Sequence, residues 1–311
     1  MRTPFTILIL LMTLVLFQAC EQEYIPVNSG EGPKYVVEGY VEAGQNPFAP
    51  YVILTSSFDF YGSFTPDDFT AAYVHDADVR VSDGSKEVLF TEICFSELDS
   101  SIREEVAARF GFNADSLAVD ICVYVDVLNQ LQPQIGKTYN LTIHAGEDVI
   151  TASTTIPPHV PFDSLHFAPP PGEPNDTLAQ LECSISDPAG QRDFYRYFMA
   201  TNDGGFETSF SSVFEDLFFD GKSFDFSLFN PATQDGDSDP DEFGLYFVGD
   251  TITIKWCNLD EDHFNFWNTL EYSNNNQGPF SSYTRLDSNI NGGLGIWGGY
   301  SVSYYKQVVE Y

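Results

Sequence analysis

The chain has 311 residues, with 13 Lys and Arg against 46 Asp and Glu, a formal net charge of −33. Nucleic acid is excluded as a natural ligand, because its binding rests on basic side chains displacing phosphate counterions, and adhesion to anionic lipid is disfavoured for the same reason. With 28 Phe and 17 Tyr a disordered body is excluded too, and the length accommodates a large core and two domains.

The amino terminus reads MRTPFTILILLMTLVLFQAC. One basic residue, Arg2, precedes an apolar run from Phe5 to Phe17, and Ala19 stands just before Cys20. This is the layout of a secretory signal peptide over residues 1–19, too short for a membrane span of ~20 apolar residues. Cys20 is the expected lipidation site, with an ordinary cleaved signal in which Cys20 is incidental as the alternative. Two or more acyl chains, at ~0.8 kcal/mol per buried CH₂, would anchor the protein stably. Residues 20–33 are polar and rich in Pro and Gly, a flexible tether. Loss of residues 1–19 removes only Arg2, so the mature charge is 12 minus 46, or −34.

From Lys34 to residue 158 the sequence predicts short strands: KYVVEGYVEAG, PYVILTSSF, ADVRVSDGSKEVLFTEI, AVDICVYVD and KTYNLTIHAGEDVITASTTIP. Alternation in Val79 and Val81, and in Tyr139, Leu141 and Ile143, has the two-residue period of a half-buried strand. Asp83-Gly84 and Ala145-Gly146 are placed as hairpin turns. About seven strands in this length imply a β-sandwich, immunoglobulin-like or transthyretin-like. A helical insertion interrupts it: Ser101 and Glu104 have capping-box spacing, Ile102, Val106 and Phe110 recur every four residues, and Gly111 stops the run. Cys94 and Cys122 flank that insertion and are expected to pair in an oxidising compartment. Cys183 and Cys257 form the second candidate pair, with buried thiols the alternative; no CxxC or HxxxH spacing points to zinc.

The Pro-rich stretch TIPPHVPFDSLHFAPPPGEPND marks a stiff boundary, and residues 159–311 form a second β-rich domain. Strands are predicted at Ser164 to Ala168, LAQLECSIS, DFYRYFMATND, SFDFSLF, FGLYFVGDTITIKW and GYSVSYYKQVV. One packed helix is predicted from Glu261 to about Tyr272, capped by Asp260, with Phe264, Trp267 and Glu271 on one side. The fold class is therefore mainly β: a sandwich with a helical insertion, then a second β-rich domain with one helix.

Signals of chemistry are sparse. The run Gly292-Gly293-Leu294-Gly295 with Gly298-Gly299 lacks the helix that a dinucleotide loop needs, since a strand follows it; tight turns and close backbone approach are the expectation. Asp235, Asp237, Asp239 and Asp241 alternate as in calcium loops, but Pro240 and Tyr246 stand where an EF-hand needs Gly and Glu, so calcium is set against a solvated loop. The five histidines have no metal spacing, and no G-x-S-x-G or H-E-x-x-H string occurs. Trp256, Trp267, Trp297 and Tyr300 gather in the second half as a possible ligand surface, with core packing the competing reading and the favoured one for Trp297.

Several segments together resemble the Bacteroidota lipoprotein family known as domain of unknown function 4249: KYVVEGYVEAG, FTEICFSEL…SIREEVAARFG…DICVYVD, TIP, ISDPAGQRDFYRY and HFNFWNTLEYSNNNQGPFSSYTRLDSNINGGLGIWGGY. The resemblance covers nearly all of the mature chain. It implies an outer-membrane lipoprotein, with the acidic residues after Cys20 similar to a surface-export signal, in the company of TonB-dependent receptors. No enzymatic residues come with it. The expected function is a non-enzymatic, cell-surface accessory or ligand-capture partner of a TonB-dependent transporter, with ligand unknown. A structural or adhesin-like envelope lipoprotein is the alternative, and a peptide or glycan hydrolase the third reading.

Overall fold

The computed structural model describes residues 32–58, 65–109, 119–172, 175–202, 204–234, 239–275 and 285–311. The expected signal peptide, Cys20 and almost all of the expected tether lie outside them, as do Phe110 and Gly111. In chain order the first half comprises β1 (Tyr35–Gly44), β2 (Tyr51–Ser56), a short helix α1 (Pro66–Ala71), β3 (Asp78–Ser82), β4 (Glu87–Leu89), β5 (Thr91–Cys94), α2 (Ser100–Arg109), β6 (Cys122–Val125), β7 (Thr138–Ala145) and β8 (Asp148–Thr155). The second half adds β9 (Phe162–Ala168), β10 (Leu178–Ser186), β11 (Phe194–Thr201), β12 (Val213–Glu215), β13 (Ser223–Leu228), β14 (Tyr246–Phe247), β15 (Thr251–Leu259), α3 (Glu261–Asn275) and β16 (Leu294–Val308). The fold is mainly β, as expected.

Strands from both halves build one eight-stranded sheet, in the order β12-β11-β15-β16-β1-β2-β6-β5. Its centre is a parallel pairing of β1 with β16, from Val36 opposite Leu294 to Gly44 opposite Val302. Two four-stranded sheets cover one face. The sheet β4-β3-β7-β8 packs there through Val79, Val81, Tyr139, Leu141, Ile143 and Ile150, against Val37, Val41, Val52, Leu54 and Trp297. The second, β13-β10-β14 with β9 on β10, packs Leu181, Cys183, Ile185 and Leu228 against Tyr195, Tyr197, Ile252, Ile254 and Trp256. Each half thus has its own core, and the wide sheet belongs to both. Successive side chains of a strand point to opposite faces, so the valines of β1 enter a core while Glu38, Tyr40 and Glu42 face the other way.

Turns fall at Asp83-Gly84 and Gly146 as predicted, between β3 and β4 and between β7 and β8. The Pro-rich boundary segment is packed along the wide sheet: the Val160 amide donates to Asn258 Oδ1 at 3.0 Å, and Trp256 Nε1 donates to the Val160 carbonyl at 2.8 Å. Two expectations for α2 need correction. It starts at Ser100, with the Arg103 amide donating to the Asp99 carbonyl at 2.8 Å, and it buries Ala107 while Ile102 is exposed. A four-residue spacing drifts around a helix of 3.6 residues per turn, so Ile102 does not share the buried side with Ala107.

The glycines after residue 291 serve a strand rather than a loop. Gly295, Gly298 and Gly299 lie inside β16. At Gly295 φ is +106°, and a Cβ would sit 1.9 Å from the Val37 carbonyl oxygen, so only glycine lets β16 dock on β1 there. A Cβ on Gly298 would stand 2.6 Å from the His263 ring. That close approach seats α3 on the sheet.

A cavity on the open face of the wide sheet

The face of the wide sheet opposite the two smaller sheets is partly covered by α3. The helix begins where Asp260 caps it: Asp260 Oδ1 accepts the His263 amide at 2.8 Å, and the Asp260 carbonyl accepts the Phe264 amide at 3.0 Å. Phe264 stacks on Phe194 at 4.8 Å between ring centroids and joins Cys257, Leu259, Ile296 and Val302 in a third apolar cluster. Beside this seam lies a cavity of about 410 Å³, lined by β1, β2, β11, β15, β16 and α3.

Alternation in five strands places charged and aromatic groups on that one face. Lys255 of β15 donates to Glu42 Oε1 of β1 at 2.8 Å and to the Tyr300 hydroxyl at 3.3 Å; Tyr300 donates to the same Glu42 oxygen, and the Phe48 amide donates to its other oxygen at 2.9 Å. Lys255 and Glu42 are only 14 % and 3 % exposed. Burial is the largest single effect and works against the ammonium, but the charge and hydrogen bond of Glu42 together with the nearby Cys257 and Tyr304 groups outweigh it and raise the Lys255 pKa. Tyr40 donates to Glu38 Oε1 at 3.1 Å. Glu38 is open to solvent yet walled by protein on its other sides, and this crowding raises its carboxyl above the usual range.

Arg196 of β11 is buried, with its guanidinium 3.7 Å from the centre of the Trp267 ring and 4.7 Å from that of Phe198. Its Nε donates to Ser212 Oγ at 3.1 Å, and Ser212 in turn donates to Glu271 Oε1 at 2.6 Å. Among the described residues no carboxylate forms an ion pair with Arg196, and its two terminal amino groups make no hydrogen bond. Burial lowers its pKa, but a guanidinium stays charged in proteins. His263 lines the same cavity, and among the described residues neither ring nitrogen has a hydrogen-bond partner. Burial first, then the nearby Arg196 charge, drives its pKa down to about 3, so the ring is neutral at pH 7. The Cys257 thiol is pushed up to about 12 by burial.

Of the four aromatic residues expected at a ligand surface, Trp267 and Tyr300 line this cavity. Trp256 and Trp297 do not: both are fully buried, Trp256 in the second core and Trp297 in the first with its Nε1 donating to the Tyr139 carbonyl at 2.9 Å. Strand parity turns them to the packed face. Cys94 and Cys122 form the expected disulfide. Cys183 and Cys257 are free and buried, a correction with a simple cause: Cys183 sits on β10 in the second core, whereas Cys257 faces the cavity side of β15. The calcium candidates do not form a site among the described residues. Asp235 and Asp237 lie outside them, and Asp239 caps a single turn over Pro240–Glu242 by accepting the Asp241 amide at 3.0 Å.

Sequence reading missed Glu38, Glu42, Arg196, Lys255 and His263. The available signal was a charge standing inside an otherwise apolar strand, as in DFYRYFMA and TITIKW, where one face must either reach water or find a partner.

No curated protein and no solved structure matches the chain. A family model does, over residues 21–306, from the segment after the expected lipidation site almost to the end of the last strand. The chain belongs to the family described as Domain of unknown function (DUF4249).

Proposed function

We propose that the protein is a non-enzymatic, lipid-anchored outer-membrane protein that holds a small anionic ligand in this cavity on behalf of a TonB-dependent transporter. The observation that carries the reading is Arg196: a buried guanidinium between two aromatic rings, with both terminal amino groups uncommitted and no carboxylate paired to it among the described residues. Such a fork suits a carboxylate held bidentately, while Trp267, Phe198 and Tyr300 offer apolar walls for the rest of the ligand. Binding rather than catalysis fits the titrating groups. The Cys257 thiol stays protonated, and the neutral His263 has neither a nucleophile nor an orienting acid bonded to it.

The test is a panel of amino acids, short peptides and aromatic carboxylates added to purified protein, read by tryptophan fluorescence, with Arg196→Gln alongside. A ligand that quenches wild type at micromolar to millimolar concentration and loses at least tenfold affinity in the variant supports the reading. Equal binding by both proteins, or none by either, sinks it. The transporter and surface parts have their own measurements: recovery of a TonB-dependent receptor from solubilised outer membranes, and cleavage of the protein from outside intact cells that is lost in Cys20→Ala.

A further inference from the structure

A second constellation lies away from the cavity. Asp187 begins the loop after β10, Asp193 ends it just before β11, and Asp216 and Asp220 belong to the loop that leaves β12. One carboxylate oxygen from each of Asp187, Asp216 and Asp220 lies within 4.8 Å of the other two. Asp187 and Asp216 are 7 % and 1 % exposed. The two loops fix one another: Asp187 accepts the Tyr195 hydroxyl at 2.5 Å and the Gly221 amide at 3.1 Å, and Asp220 accepts the Gly190 amide at 2.8 Å. Asp216 Oδ2 is buried and has no hydrogen-bond donor among the described residues. No lysine or arginine forms an ion pair with any of the four aspartates among the described residues. Burial, then the negative charge of their neighbours, raises the carboxyls of Asp193 and Asp216.

Buried carboxylates are paired, protonated or ligated to a metal. We propose that Asp187, Asp216 and Asp220 bind a calcium ion. All three donors are hard oxygens, with no thiol or imidazole among them, which disfavours zinc and the softer metals. They sit on loops of irregular geometry, which calcium tolerates, and two of them are almost closed to solvent, whereas magnesium retains several waters and demands a near-ideal octahedron. The ion would tie the Asp187 loop to a tip that presents Leu217 and Phe218, the latter 86 % exposed.

The test uses the purified full chain, stripped with EDTA and titrated with calcium chloride alone, followed by calorimetry and by thermal melting. Wild type is expected to bind one calcium and to melt about 4 °C higher at a hundredfold excess over Kd. Asp216→Asn is expected to bind at least tenfold more weakly, yet to melt no lower than calcium-free wild type, because it removes a repelling charge. Asp220→Asn, at an exposed carboxylate, gives the same reading if the first variant does not fold. Absence of heat and of any melting shift in wild type at about 5 mM calcium, above the range of extracellular modules, overturns the proposal. A shift of equal size in wild type and both variants also overturns it, because the ion then binds elsewhere.

Discussion

Replacing Glu42 with Gln leaves the Lys255 ammonium buried without its counter-ion while keeping the shape of the side chain. Breaking a buried pair by removing one partner costs about 3–5 kcal/mol, and the 3 % exposure of Glu42 leaves little water to compensate. Glu42→Gln is therefore expected to lose about 3–4 kcal/mol. Lys255→Met should lose less, about 2 kcal/mol, because Glu42 keeps the Tyr300 hydroxyl and the Phe48 amide. Together the two changes should cost about 2 kcal/mol rather than the sum, a coupling of about 3–4 kcal/mol. Urea unfolding followed by the fluorescence of the buried Trp256 and Trp297 measures each term, with unchanged m-values as the check on comparability. Single-variant losses that add to the double-variant loss within about 0.5 kcal/mol would refute the reasoning. The pair would then be screened by water in the cavity.

Three other outcomes are expected. Asp260 has its carboxyl pushed up to about 6, mainly by burial; the folded protein thus holds a proton that the unfolded chain releases at lower pH, and stability falls as pH rises from about 4 to 6. The full shift corresponds to about 3 kcal/mol, trimmed by partial exposure to about 1–2 kcal/mol, and Asp260→Asn, an equally good cap, should flatten the slope; an unchanged pH profile of urea midpoints counts against this. Gly298→Ala should cost about 1–3 kcal/mol because its Cβ meets the His263 ring, with loss of α3 packing visible as faster proteolysis near 261–275, and wild-type stability would mean that the helix yields freely. Removing the disulfide with Cys94→Ser and Cys122→Ser should cost ~3.5 kcal/mol for a separation of 28 residues in the chain-entropy picture, read as a drop in melting temperature that added reductant reproduces in wild type but not in the variant.

Local rules carried far into this fold. Asp260 announces α3 because an N-cap acts through its own backbone neighbours, and LAQLECSIS is β10 residue for residue because its alternation is complete. What escaped depends on partners distant in sequence. Nothing local in YVVEGYVEAG says that it will run parallel to a strand some 250 residues later, and the three-residue β12 is too short to show a period. The cavity was hidden for a related reason: Glu38 and Glu42 have the spacing of polar residues on a solvated strand face, and nothing in the strand itself shows that Glu42 is buried against Lys255 and Tyr300 while Glu38 stays open to solvent. Trp256 and Trp267 looked alike in sequence, but one lies on the packed face of β15 and the other on a helix above the open face.

The position of β1 has a mechanical consequence. Its first residue follows directly from the segment leading back to Cys20, yet the strand lies in the interior of the wide sheet, between β16 and β2. Because β1 and β16 run the same way, opposed forces on the chain ahead of Lys34 and on the carboxy-terminal end of β16 slide the two strands past each other. Rungs from Val36–Leu294 to Gly44–Val302 then bear the strain together instead of parting one at a time. Under such a load the sheet would yield through that ladder last, and the cavity residues Glu38, Tyr40 and Glu42 are mounted on one of its two strands.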